Sequence, residues 1–221
     1  MKLFKKFLSI ATASLCFLTI FAPCSNALFS GMHGKSPETV RRMISSGDID
    51  GIRYLLNIGA NVDSKDPDGN TALHCAAYTS TVEMVQFLLQ RGADPNIKGN
   101  CGTTPLMLAV HREDKQAALA LANLFVHQPG IDLSAQNNQG INALRAALNP
   151  FRDFQLEGDT HETKSEAIAI SKILLFLYSM GVPYILETQE TLLQYAIYKK
   201  AFHPEIINTL QFIEQNARTA K

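Results

Sequence analysis

The sequence predicts an all-α solenoid of about five helix-turn-helix repeats joined by β-turn or hairpin connections. Two markers share one period. Gly69-Asn70-Thr71-Ala72-Leu73-His74 returns as Gly102-Thr103-Thr104-Pro105-Leu106-Met107, and Gly59-Ala60-Asn61-Val62-Asp63 returns as Gly92-Ala93-Asp94-Pro95-Asn96. Both offsets are 33 residues (69 to 102, 59 to 92). Between the markers, apolar residues fall at helical spacing in runs too short to bury their own surface. A unit left apolar on both flanks is covered by its neighbours, which is the logic of a stacked repeat.

Repeat one, residues 36–65, takes PETVRRMISS and DIDGIRYLLN as its helices and lacks the T-x-L-H element, as a terminal cap would. Repeat two, 66–98, opens with the turn residues Asp66-Pro67-Asp68-Gly69. Thr71 is placed to cap its first helix. Ala76 and Ala77 are small enough to let neighbouring helices close in, and Val82, Val85, Leu88 and Leu89 give the second helix an apolar stripe. Gly92 ends that helix in a left-handed turn. Repeat three, 99–136, has a longer second helix, KQAALALANLFVHQ. Repeat four, 137–185, carries an insertion: 37 against 19 residues separate the markers Leu144 and Gly181 as compared with Leu73 and Gly92. The inserted segment, 149–164, has Pro, Gly and mixed charge and is expected to be an exposed loop. Repeat five, 186–216, closes a domain of about 36–218, followed by a polar tail, 217–221.

The pattern T-x-L-H-x-A-A with G-A-D-x-N resembles the ankyrin repeat, over about residues 36–218 and most specifically in repeat two. The resemblance implies a stack with a concave face of turn tips and first helices. It also implies that His74 hydrogen-bonds the adjacent turn. Met107, Arg145 and Gln194 replace that histidine later, and Gln189 replaces a turn glycine in repeat five, so those turns need other support.

Ahead of the repeats, MKLFKK and the uncharged run Phe7–Ala22 have the layout of a secretory signal peptide, with Ser25-Asn26-Ala27 at the expected cut. The run is short for a membrane span, which takes about 20 residues. An uncleaved anchor is one alternative. A lipoprotein signal at Cys24 is another, although Pro23 stands where a small residue belongs. Cleavage leaves a mature chain of 28–221 with a short leader, 28–35. The full chain has 20 basic and 20 acidic residues; removing Lys2, Lys5 and Lys6 leaves 17 against 20, a net charge of −3. Such a chain has no electrostatic reason to bind nucleic acid.

No catalytic motif emerges: there is no G-x-S-x-G, H-E-x-x-H, phosphate loop or C-x-x-C. The six histidines lack partners at metal-ligand spacing, so no metal, cofactor or catalytic residue is expected. The enzymatic rival places a site in the insertion with Asp159, His161 and Glu162. Cys75 reads as a packed residue of a first helix and Cys101 as an exposed turn tip, out of bridging reach of each other.

What the resemblance leaves is protein binding through variable turn-tip and helix-end positions. Carried over residue by residue, these are Pro67, Asp68, Asn70, Tyr78 and Thr79 in repeat two, and Asn100, Cys101, Thr103, His111 and Arg112 in repeat three. In repeat four they are Asn138, Gln139, Ile141 and Asn149, and in repeat five Tyr198 and Lys199. Tyr78, Arg112 and Tyr198 have the residue types enriched at binding hot spots. The expectation is an exported, non-enzymatic, monomeric protein that binds another protein, free of membrane after signal cleavage, in the periplasm or released. It would be a resident binder or inhibitor, an immunity protein included, or a secreted effector.

Overall fold

The computed structural model describes residues 37–66, 68–148, 161–183, 193 and 203–219. The signal peptide, the leader, Pro67, Asn149, Asp159, Tyr198 and Lys199 lie outside the described residues, as does most of the first half of repeat five. The described residues are helical and contain no strand, so the connections are turns. The chain forms two compact units, one of residues 1–108 with 137–139 and one of 109–136 with 140–221.

In the first unit, α1 (Pro37–Ser45) and α2 (Ile49–Asn57) form repeat one, and α3 (Ala72–Thr79) and α4 (Val82–Gln90) form repeat two. Proline is tolerated at the first helical position because its missing N–H is an orphan there anyway. Asp48 is the N-cap of α2 rather than its first residue; its carboxylate accepts from the Gly51 N–H at 2.9 Å. Val40 and Ile44 of α1 and Ile52 and Leu55 of α2 are buried. α3 packs on α1 and α4 through Leu73, Ala76 and Ala77, which are fully enclosed. The Ser80 hydroxyl donates to the Ile44 carbonyl at 2.6 Å, tying repeat two to the end of α1.

The buried face of α4 is Met84, Val85, Phe87 and Leu88, while Val82 and Leu89 are only half-buried. The expected stripe was thus rotated, because a helix with six apolar residues in VEMVQFLL offers more than one periodic set. Gly92 takes φ +85° and closes α4 as expected: its N–H bonds to Leu89 and the Ala93 N–H to Leu88, at 3.0 and 3.1 Å. The same pair of bonds closes α2 at Gly59–Ala60.

α5 (Pro105–Val110) is the first helix of repeat three. The second unit holds α6 (Lys115–Val126), α7 (Ala143–Ala147), α8 (His161–Ser179) and α9 (Pro204–Thr219). α8 packs against α6, α7 and α9. Its inward residues Ala167, Ile170, Ile173, Leu174 and Leu177 recur at helical spacing and are buried. Two boundaries need correction. α8 begins at His161, so residues 161–164 are helix rather than exposed loop; Glu, Lys and Ala, abundant in ETKSEA, are strong helix formers. α9 runs to Thr219, so much of the polar tail is helical.

Candidate protein-binding surface

The turn tips of the first unit are built as a ladder. In repeat two, the Asp66 N–H bonds to the Asn70 carbonyl at 2.8 Å, the Gly69 N–H to the Asp66 carbonyl at 2.9 Å, and the Asn70 N–H to the Asp66 carboxylate at 2.7 Å. In repeat three, the Gly99 N–H bonds to the Thr103 carbonyl at 2.8 Å and the Thr103 N–H to the Asn100 carbonyl at 3.1 Å. Cys101 and Gly102 between them take φ +53° and +74°, the backbone of a primed two-residue turn.

Side chains of repeat two hold the turn of repeat three. The Asn70 amide oxygen accepts from the Asn100 N–H at 2.9 Å, and the Lys65 ammonium donates to the Lys98 carbonyl at 3.0 Å. His74 makes the central link. A backbone N–H can only donate, so Nδ1, which lies 3.2 Å from the Thr71 N, is the acceptor. Nδ1 also lies 2.8 Å from the Thr71 hydroxyl, which must donate to it. Nε2 therefore carries the proton and donates to the Thr103 carbonyl at 3.1 Å. Burial, with Lys65 adding to it and the Thr103 bond opposing, lowers the His74 pKa to about 4, so the ring is neutral at physiological pH. A Cβ on Gly99 would stand 2.5 Å from the Asn70 amide oxygen and 2.7 Å from the imidazole. Glycine is required there because the preceding repeat lies against its backbone. Gly99 was not singled out from the sequence, where it only opens repeat three.

The structure sorts the expected contact residues. Asp68 and Thr79 are exposed, as is Asn138; Tyr78, Asn100, Cys101, Arg112 and Gln139 are half-buried. Asn138 meets repeat three through its backbone, its N–H donating to the Cys101 carbonyl at 2.9 Å. Four expected contact residues are buried and are corrected here. Asn70 (7% exposed) supports the next turn, and Thr103 (1%) donates its hydroxyl to the Asn100 carbonyl. Ile141 belongs to the core of the second unit. His111 (8%) bonds to the Ala146 backbone, and burial, with Lys115 adding to it, lowers its pKa to about 4. All four sit on the inner legs of turns or at a packed helix end, where position in the repeat does not reveal exposure.

Cys75 is a half-buried thiol outside any disulfide, so it makes no bridge to Cys101. Cys101 is not the exposed tip expected of it. Among the described residues, no cluster of His, Cys, Asp or Glu is arranged to hold a metal ion, and no helix is long and apolar enough to cross a membrane.

Stacked helix pairs with interlocked turns define a repeat protein, and comparison with known families shows what part of the chain is similar to. Residues 41–137 match the family model for ankyrin repeats (three copies). An ankyrin repeat protein of Acanthamoeba polyphaga mimivirus is 36% identical over 96 residues, 42% of this chain and 13% of that protein. One from Rickettsia felis is 33% identical over 105 residues, 47% of this chain and 33% of that protein. The human 2-5A-dependent ribonuclease is 38% identical over 69 residues, 31% of this chain and 9% of that protein. The chain thus matches a third or less of the length of each of these relatives. Ankyrin repeats generally mediate protein–protein interaction, and residues 41–137 match their pattern.

Proposed function

We propose that this chain is an exported, non-enzymatic binding module that recognises one partner protein through its turn tips and the ends of its first helices. The carrying observation is the ladder of turns. Asp68, Asn100, Asn138 and Gln139 stand on backbone already fixed by hydrogen bonds within and between repeats. A preorganised surface loses little conformational freedom when it binds. Export rests on the signal-peptide layout of residues 1–27. A periplasmic inhibitor and a released effector would use the same scaffold.

The test has two arms. Cell fractionation locates the chain, and retention in the cytosol overturns export. Affinity capture then compares the native chain with a triple variant, Asp68→Ala, Tyr78→Ala and Asn138→Ala, checked for unchanged thermal unfolding. Purified partner lost by the variant supports the reading; partner held equally by both refutes the turn-tip surface.

A further inference from the structure

We infer a second contact surface, on the outer helices of repeats one and two, that takes an acidic segment of a protein through Arg91 and Arg53. The two guanidinium carbons lie 5.0 and 5.5 Å from the centroid of the Phe87 ring. The ring itself is almost wholly covered. Each arginine is also held by a second contact. Arg53 pairs with Asp50 at 2.8 Å, and Arg91 donates to the Asn57 amide oxygen at 3.1 Å. Stacking and bonding fix both forks before any partner arrives, so less freedom is lost on engagement than for a free surface arginine.

Their charges are not equally answered. Asp50 neutralises Arg53. Among the described residues Arg91 has a neutral amide and a ring but no carboxylate in ion-pair range. Glu83, on the same helix, is eight residues away, about 12 Å along the axis. Arg91 therefore presents an uncompensated planar fork suited to a carboxylate. One helical turn before Asn57, the residue that Arg91 bonds, stands Tyr54, 61% exposed and the most exposed large apolar side chain among the described residues. An Asp or Glu next to an apolar residue fits this pairing of fork and ring. If the arginine stems merely shield Phe87 from water, no such ligand binds.

The test uses the full chain and two blocked peptides, Ac-Glu-Leu-Glu-Leu-Glu-NH2 and its glutamine counterpart, followed by NMR titration. The acidic peptide is expected to shift the Arg91 and Arg53 Nε–H and Tyr54 amide signals, and the glutamine peptide to leave them in place. Arg91→Ala should weaken binding about tenfold with thermal unfolding unchanged, and Arg91→Lys, which keeps the charge but not the fork, should recover only part of it. No shifts, shifts confined to the turn tips, or affinity indifferent to Arg91→Ala would each overturn the inference.

Discussion

Repeats two and three share their turn markers and close their turns by different means. At the junction between them, a neutral imidazole and an amide reach forward from repeat two onto the turn of repeat three. At the next turn, Met107 takes the place of His74, and the backbone N–H of Asn138 reaches back to the Cys101 carbonyl. The residue facing each of these positions changes with it. Gly99 faces His74; its counterpart one repeat on is Asn137, buried, with a side chain whose amide oxygen accepts from the Gln139 N–H. One repeat earlier, Arg41 stands at the histidine position and exerts an attraction on Asp66, the counterpart of Gly99. The period fixes where the contact falls; the chemistry of the contact is chosen pair by pair.

The largest expected effect that separates the two junctions is acid. The folded pKa of His74 and of His111 is depressed below the ordinary value of 6.5. Their stabilising contribution is then complete above pH 6.5 and is lost as pH falls towards 4, on the order of 3 kcal/mol for each. Protonating Nδ1 of His74 would also set a donor against the Thr71 N–H. Chemical unfolding at pH 7 and pH 4.5 should show this drop, and His74→Phe should remove much of the slope. Asp66 works in the opposite sense. Burial raises its pKa, and its second carboxylate oxygen is buried without a hydrogen bond.

At neutral pH, His74→Phe leaves the Thr71 N–H without its acceptor and takes one of two donors from the Thr103 carbonyl. It should cost about 3 kcal/mol in urea unfolding. Gly99→Ala should cost about 2 kcal/mol, since a Cβ there would press on the Asn70 and His74 side chains. Met107→His should fail to reproduce the clamp, and only Met107→His with Asn137→Gly should recover stability; equal stability of the two would break the pairing argument. The smallest effect is Asp66→Asn, expected to be neutral or to stabilise by under about 1 kcal/mol, because the amide keeps the acceptor for the Asn70 N–H while removing the buried charge.

Much of this was readable in the sequence, for physical reasons. Turn glycines and 33-residue spacing announce themselves because few residues tolerate positive φ, and helices of repeats one to three fell close to where periodicity set them. Exposure was harder. Asn70 and Thr103 look like tip residues by type and position, yet they are consumed in holding the tips up. The start of α8 was misjudged because ETKSEA is polar enough for a loop and also rich in helix formers. The arginine pair on Phe87 spans two repeats, so no local motif marks it.

The His74–Gly99 contact has a consequence for how such a chain can grow. A tandem copy of residues 66–98 would set the first His74 against a second Asp66, and only the last copy against Gly99. An imidazole would meet a buried carboxylate at every new joint. Duplication by whole repeats therefore breaks the very fit that holds repeats together, whereas a segment cut inside the repeat, carrying histidine and the following glycine as one block, inherits it intact. The heritable module of this protein is the joint.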